Sequence, residues 1–404
     1  MKSSRFILAS FLALAFAGMA SAQTIVHITG STAFRAAAHQ AILSMMPGAT
    51  YGYSGTSLNS ASQAIFTGTA VTTNGGNVPV IVKTSWSGSV GGIIVLTQQL
   101  PVPDTAIGVT GGWLVNSTSQ STSGIGGVAA NYDAPTPADA SFSDSFQSST
   151  QFPTPALSGA NGYNQGVVGV IPFQWVSGVG NPTTIKNVTS QNARSVLAGG
   201  TTLAFFTGNS ADTALVKAFG RDSDSGTRLE TFAETGYGIL TFPVQYDPQV
   251  SGGVITQLDA WPAQFTDGIS FPAGSQGFAS GGGVAGALNT PGSQSAANNP
   301  ADMIGYLGIT DAASVTGGTT LTFNGYAYSP AAVQYGQYTL WSYEHVYYPG
   351  TYIGSAGQPV VDQIAQNIHN NLANTTASGL LLSGMQVHRQ VEGGVILTGK
   401  GLFH

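Results

Sequence analysis

The chain of 404 residues contains no cysteine, which excludes disulfide bonds, thiolate metal sites and a lipidated N-terminal cysteine. Charged residues are also scarce. They make up 7% of the chain, whereas soluble domains usually carry roughly 25%. Serine, threonine, asparagine, glutamine and 55 glycines take their place, and a hydrophobic content of 42% is still enough for a core. The net charge of −6 argues against nucleic acid and anionic membrane surfaces as partners.

A single long apolar run occurs, and it lies at the N-terminus. Lys2 and Arg5 make the start basic, residues 6–19 are apolar, and Ala20-Ser21-Ala22 supplies a cleavage site of small residues. These three parts predict a signal peptide, residues 1–22, that is removed after Ala22. The run is short for a membrane anchor, and no second run follows it. We therefore expect an exported protein, located in the periplasm or secreted.

The remaining sequence alternates between strand and helix patterns. Residues 24–28 predict a strand, and a Gly-Ser-Thr turn separates it from apolar residues at helical spacing between Phe34 and Met45. Further helices are predicted over 226–235 and 360–372, and further strands over 78–84, 304–309 and 167–175, the last with a bend at Pro172. This alternation predicts an α/β fold with mixed, mostly parallel sheets, and the length suggests two domains.

Three strand-to-helix turns share one composition, at residues 30–34, 85–89 and 225–227. Each turn places hydroxyl groups and a glycine at the end of a predicted strand. The start of a helix offers unpaired N–H groups and a partial positive charge, and both suit an oxyanion. Ordinary N-capping explains any one of these turns. Three of them at distant positions favour an anion-binding site.

Charged residues gather near the third turn. Lys217, Arg221 and Arg228 lie close together in a chain that has few cations. Arg221 can bind two oxygens of an anion at once. A carboxyl group in the same site would accept a hydrogen bond from a protonated oxyanion and would disfavour sulfate, which carries no proton near neutral pH. The candidates for this acid are Asp144, Asp222 and Asp224.

At these residues the chain resembles the phosphate-binding proteins of phosphate ABC transporters. Residues 28–34, Ile-Thr-Gly-Ser-Thr-Ala-Phe, resemble the family's first anion loop, and residues 85–92 resemble its Ser-Ser-Gly-Gly loop. Residues 139–144 are similar to the family segment that ends in Ser-Asp. Residues 221–227, Arg-Asp-Ser-Asp-Ser-Gly-Thr, are similar to the Arg-x-Asp-Gly-Ser-Gly-Thr motif, although Ser223 stands where the family has aspartate.

The resemblance implies a type II periplasmic-binding fold, in which two crossing strands join two α/β domains. Domain I would comprise residues 23–166 and 326–404, and domain II residues 167–325. Inorganic phosphate, or a related oxyanion, would bind between the domains by hinge closure, for uptake through an ABC permease in the inner membrane. The implied phosphate-binding residues are Ser31, Thr32, Ala33, Phe34, Ser87, Asp144, Arg221, Ser225, Gly226 and Thr227.

Residue spacing gives no support to other chemistry. Residues 222–224 begin like a calcium loop, but Gly226 and Ala233 stand where that loop needs ligands. The sequence identifies no base to pair with Ser225 as a nucleophile, and a helix start explains this serine better. Glu344-His345 lacks metal-ligand spacing to the other histidines. We expect a monomeric binding protein that needs no cofactor or metal, rather than an enzyme.

Two alternatives stay open at this point. The same fold could act as a sensor or scavenger or could bind another oxyanion, and the Gly/Ser/Thr-rich stretch at 105–131 fits such divergence. A secreted β-rich adhesin or matrix protein is a different class that suits the abundance of glycine, serine, threonine and asparagine. The helices predicted at 33–46, 226–235 and 360–372 argue against that class.

Overall fold

The structure, a computed structural model, describes residues 23–375 and 379–403. The predicted signal peptide, residues 1–22, lies outside these residues. Within them, no helix is both long enough and apolar enough to cross a membrane.

Nine α-helices occur in the described part of the chain. They are α1 (Arg35–Met45), α2 (Ser89–Gln98), α3 (Ser190–Leu197), α4 (Ala204–Thr207), α5 (Gly226–Thr235), α6 (Gly281–Asn289), α7 (Ile309–Ala313), α8 (Pro330–Gln334) and α9 (Gln358–Thr375). The predicted helices near residues 34–45, 226–235 and 360–372 are thus confirmed as α1, α5 and α9. An adhesin made only of β-structure does not have such helices.

Thirteen strands of three or more residues are found in the same described ranges. They are β1 (Thr24–Gly30), β2 (Thr50–Tyr53), β3 (Gln63–Thr72), β4 (Gly76–Ser85), β5 (Ala140–Ser143), β6 (Val167–Ser177), β7 (Leu215–Phe219), β8 (Tyr246–Ser251), β9 (Val254–Ala260), β10 (Gln264–Thr266), β11 (Ile269–Phe271), β12 (Asp302–Gly308) and β13 (Trp341–Tyr348). Nine of them form one twisted sheet in the order β7-β12-β6-β13-β5-β1-β4-β3-β2, which short strands extend at both edges. The hairpins β8–β9 and β10–β11 stand apart from this sheet.

The sheet is mixed, as predicted, with three parallel and five antiparallel pairs among its nine long strands, and helices alternate with these strands. Strand β1 pairs in parallel with β4 on one side and with β5 on the other, and β7 pairs in parallel with β12. The other pairs among these nine strands are antiparallel. Since parallel neighbours end at the same edge of a sheet, the segments after β1, β4 and β5 leave it side by side.

Two antiparallel strands, β6 and β13, connect the two parts of the sheet. The first half of β6, Val167 to Pro172, pairs with β13, and the second half, Phe173 to Ser177, pairs with β12. Strand β13 in turn pairs with β5 through its C-terminal half. The exchange of partners therefore falls at Pro172, while the irregular register lies earlier, between Val167 and Gly169. These two strands are the crossings that the fold class predicts.

The core follows from the apolar spacing seen in the sequence. Helix α1 buries the face that carries Ala37, Ala38, Ala41, Ile42 and Met45, and this helix packs on α9. Trp341, Tyr343 and Tyr348 of β13 are buried in the same core, and Tyr347 is buried in a separate cluster. Apolar burial of this kind is the main stabilising term of the fold.

Gly30, the last residue of β1, has a φ of +117°, and a Cβ there would collide with the Phe142 carbonyl oxygen. Gly48 also has a positive φ, +75°, but a Cβ there would have no atom within 4 Å. We expect Gly48→Ala to lower the free energy of unfolding by about 1 kcal/mol, the cost of the left-handed backbone alone. Gly30→Ala should cost at least about 2 kcal/mol more, since it also separates β1 from β5. Denaturant unfolding measures both values. Equal losses of unfolding free energy in the two variants would contradict the close approach of Gly30 to Phe142.

Candidate anion-binding site

The first junction, between β1 and α1, is closed by local hydrogen bonds. The Ser31 N–H donates to the Phe142 carbonyl over 2.7 Å, and Ser31 Oγ accepts the Phe34 N–H at 3.2 Å. The phenyl ring of Phe34 is buried in the core. Ala33 is half-buried, and its Cβ lies near Gly308 at the end of β12. Of the four residues predicted here, Thr32 presents its side chain to the opposite junction.

The second junction, between β4 and α2, contacts both the first junction and the third. Ser87 Oγ lies 3.3 Å from Thr29 Oγ1, and the Gly88 N–H donates to the Gly30 carbonyl over 2.8 Å. At the start of α2, the Val90 N–H donates to the Asp224 carbonyl over 2.9 Å. The free N–H groups of this helix are therefore partly satisfied by the chain itself.

Asp144 follows β5 and is buried at the same edge of the sheet. Its side chain is 1% exposed, and Oδ1 has no hydrogen-bond partner among the described residues. Its N–H donates to Ser89 Oγ over 3.2 Å. A Cβ at position 226 would collide with Oδ1 of this carboxyl group, so glycine at the start of α5 leaves room for it. The acid thus points at a helix N-terminus, where negative charge is stabilised.

The junction between β7 and α5 supplies the cation. The Arg221 side chain is buried, with Nε donating to the Phe278 carbonyl over 3.0 Å and Nη2 donating to Ala279 O over 3.1 Å. Arg228 holds the same loop, since its Nη1 donates to the Arg221 carbonyl over 3.1 Å. Ser225 is the N-cap of α5, and its Oγ accepts the Arg228 N–H. The Ser225 hydroxyl therefore has the ordinary capping role.

The first junction and the β7–α5 junction face each other. Arg221 Nη2 donates to Thr32 Oγ1 over 3.1 Å, across 189 positions of sequence. Asp144 lies between them, within range of the Arg221 charge and of a hydrogen bond from Ser31. Gly226, the first residue of α5, lies beside this acid, and Thr227 follows it and is also buried. The structure thus brings together Ser31, Thr32, Asp144, Arg221, Gly226 and Thr227, with Ser87 at the side.

Burial controls the protonation of the three candidate acids. It raises the pKa of Asp144 to about 6, against the lowering effects of Arg221 and Ser31. Burial and the neighbouring Asp224 raise the pKa of Asp222 to about 7. The pKa of Asp224 is also raised, by burial and by the Asp267 carboxyl group. Asp144 is the acid within range of Arg221 and Ser31, whereas the carboxyl group of Asp224 interacts mainly with that of Asp267.

Several residues of the site escaped sequence reasoning. Ser89, in the second loop, contacts Asp144, while the predicted Ser87 contacts Thr29. Gln276 accepts the Ser223 N–H over 3.1 Å and so fixes the loop of Arg221. The Ser-rich loop could have suggested Ser89. Gln276 and Asp267 lie more than forty positions from the loop they contact, and the sequence around them carries no signal.

Among residues 23–375 and 379–403, no group of three His, Asp or Glu side chains is arranged to hold a metal ion. Of the residues that begin like a calcium loop, Asp224 interacts with the Asp267 carboxyl group.

No protein-family model and no curated protein matches the chain. It is similar to the solved structure of a putative phosphate ABC transporter substrate-binding protein with bound phosphate from Clostridium perfringens. The identity is 14%, the TM-score is 0.46, and the match covers 86% of this chain and 97% of the other. It is also similar to an ABC-type phosphate transport receptor from Vibrio cholerae, with 13% identity, a TM-score of 0.43 and coverage of 85% and 96%. A possible phosphate binding protein from Planctomyces limnophilus shows 10% identity, a TM-score of 0.41 and coverage of 89% and 93%. By their names, these proteins are of the family that the sequence motifs resemble.

The raised pKa values of Asp144 and Asp222 make stability depend on pH. Between pH 3.8 and about 7 these two carboxyl groups bind more protons in the folded chain than in the unfolded chain, so their contribution to the free energy of unfolding falls as the pH rises through this window. Burial lowers the pKa of His39 to about 3 and that of His345 to about 4, and these two groups contribute in the opposite direction. Asp144→Asn should remove part of this slope. The difference in the free energy of unfolding between Asp144→Asn and the parent should therefore favour the variant by on the order of 2–3 kcal/mol more at pH 8 than at pH 4.

Urea unfolding at the two pH values measures this difference. Asp104→Asn is the control, because the Asp104 carboxylate makes an exposed hydrogen bond to the Ala106 N–H. Parallel stability curves for Asp144→Asn and the parent would contradict a buried, protonatable Asp144.

Proposed function

We propose that the chain binds inorganic phosphate between the 30–34 junction and the 221–227 junction. One observation carries the proposal. A buried carboxyl group, Asp144, with an oxygen that lacks a partner among the described residues, points at the start of α5 beside an arginine that bridges both junctions. A buried polar atom without a partner costs free energy, and a protonated oxyanion would supply the missing hydrogen bond.

The chemistry of the surroundings fits a phosphate oxyanion. Arg221 offers a charged, planar donor, and Thr32 and Thr227 add hydroxyl groups. The N-terminus of α5, a helix of ten residues, adds backbone N–H groups and a partial positive charge. An acidic protein can hold an anion in this way because the donors act locally, while its net charge acts at longer range.

Binding would be coupled to hinge closure at the crossing strands β6 and β13. The predicted domains, residues 23–166 with 326–404 and residues 167–325, would carry one junction each. The hydrogen bonds from α2 to the Asp224 carbonyl and from Arg221 to Thr32 would be those of the closed form. The 85–92 loop would then help to hold the cleft shut. A ligand that contacts both halves favours the closed form only by its greater affinity for it.

The wider role follows from the same proposal. An exported protein that binds phosphate reversibly would deliver it to an ABC permease, and we propose this role for a monomer in the periplasm. Because the Ser225 hydroxyl already caps α5, reversible binding fits the site better than covalent chemistry. A sensor or scavenger of the same fold would share the site and would differ only in its partner.

Titration calorimetry on protein stripped of phosphate tests the proposal. Phosphate should bind with saturable heat, and Arg221→Ala should weaken binding at least tenfold, about 1.4 kcal/mol. Thr227→Val, which keeps the side-chain volume, should act in the same direction because it removes a donor.

Lys186→Ala is the matched control, because Lys186 is an exposed cation in the same half of the chain. Lys186→Ala changes the net charge by the same amount as Arg221→Ala, and it should leave the affinity for phosphate unchanged. The absence of phosphate heat at millimolar ligand in the folded parent would contradict the proposal.

Asp144 should determine which oxyanion is accepted. In the parent, phosphate should compete much better than sulfate, because sulfate brings no proton for the Asp144 carboxyl group. Asp144→Asn offers an amide donor in place of the acid, so it should narrow the ratio of the two affinities at least tenfold. Competition titrations with sulfate, arsenate and molybdate measure this ratio. An unchanged ratio would remove Asp144 from the recognition of the ligand.

A further inference from the structure

The C-terminal segment connects parts of the chain that carry opposite sides of the candidate site. Residues 389–393, here called the clasp, follow the short strand Val387–His388. Arg389 is 1% exposed, and its Nη1 donates to Glu230 Oε1 over 2.9 Å and to Glu234 Oε2 over 3.0 Å. Both acids belong to α5, whose N-terminus forms the site.

The other end of the clasp contacts the segment that carries Asp144. Glu392 is buried, and its Oε1 accepts the Phe146 N–H over 2.6 Å. Phe146 is two residues from Asp144. Next along the chain, Gly393 lies so close to α5 that a Cβ there would come within 2.5 Å of the Ala233 carbonyl.

Arg389, the first residue of the clasp, also contacts the crossing strand β13. The Arg389 guanidinium lies 4.1 Å from the ring centroid of Trp341, the first residue of β13, and Nη2 donates to the Thr339 carbonyl. Two residues separate Arg389 from Glu392, so the clasp cannot follow α5 and the Asp144 segment if they move apart. Opening must break the bonds of Arg389 or the bond of Glu392, and either event leaves a buried charged or polar group without its partner.

We propose that the clasp holds α5 against the Asp144 segment and thereby favours the closed form of the cleft before the anion arrives. The effect on phosphate affinity rests on the proposed function, whereas the effect on the shape of the cleft does not. A protein that is already closed for most of the time binds more tightly, because apparent affinity scales with the fraction in the competent form.

The chain contains no cysteine, so two introduced cysteines can be labelled specifically. The distance between the two labels then reports whether the cleft is open or closed. Ser60→Cys and Ser251→Cys place one label on each predicted domain, at exposed positions. The test variant combines Arg389→Met with Glu230→Gln and Glu234→Gln, so that both acids that Arg389 contacts lose their charge together with it. Arg194→Met is the matched control, because Arg194 Nη1 bonds to the Thr235 carbonyl at the end of α5 within the same half of the chain.

Without phosphate, the labelled parent and the Arg194→Met control should show mainly the short distance. The clasp variant should show a larger long-distance fraction, and its phosphate affinity should be at least tenfold weaker, with faster dissociation. An unchanged distance distribution in the folded variant would overturn the proposal, whatever happens to the affinity. If the parent binds no phosphate, the shift in distance without ligand still tests the clasp.

Loss of Arg389 could prevent folding, so a milder variant accompanies it. Glu234→Gln removes one of the two acids, and that side chain is 12% exposed. Its long-distance fraction should rise in the same direction by a smaller amount. No rise in Glu234→Gln, with its melting temperature near that of the parent, would also overturn the proposal.

Discussion

A single hydrogen bond, from the Arg221 guanidinium to the Thr32 hydroxyl, joins two strand-to-helix junctions that are 189 residues apart in sequence. This contact depends on the sheet. Strands β1, β4 and β5 run in parallel and release their loops at one edge, and β7 releases the Arg221 loop toward them. Everything proposed for the site requires this convergence, because neither junction alone surrounds a ligand.

The scarcity of charged residues in the chain fits the chemistry of the sheet edge where the loops after β1, β4, β5 and β7 meet. Only 7% of the residues are charged, yet three arginines lie near this edge. Arg221, Arg228 and Arg389 are buried, and each is bound mainly by backbone carbonyls or by acids of α5. The acids that face them are held in surroundings that favour protonation. Neutral donors and helix dipoles can then act on an anion with little competition from nearby carboxylates.

What the sequence could predict was local. Helix α5 could be placed from its Ser-Gly-Thr start and Gly236 stop, and α1 from its apolar spacing, because each signal lies inside the element it describes. The contact between these junctions was expected only through the family resemblance. Ser89, Gln276 and the clasp were missed, since their partners lie 48 to 246 positions away and no periodic pattern marks such pairs. The Ser225 hydroxyl, which the resemblance assigns to the ligand, accepts the Arg228 N–H as the N-cap of α5, and its part in binding stays a prediction.

The most direct measurement is a pair of crystal structures of the protein with phosphate. One is determined below and one above the pKa of Asp144, which is raised to about 6. The account predicts tetrahedral density within hydrogen-bond distance of Arg221, of the N–H groups that begin α5, and of the Asp144 carboxyl group. Density at another place, or a structure in which the 30–34 and 221–227 junctions keep their mutual contacts and exclude phosphate, would contradict it.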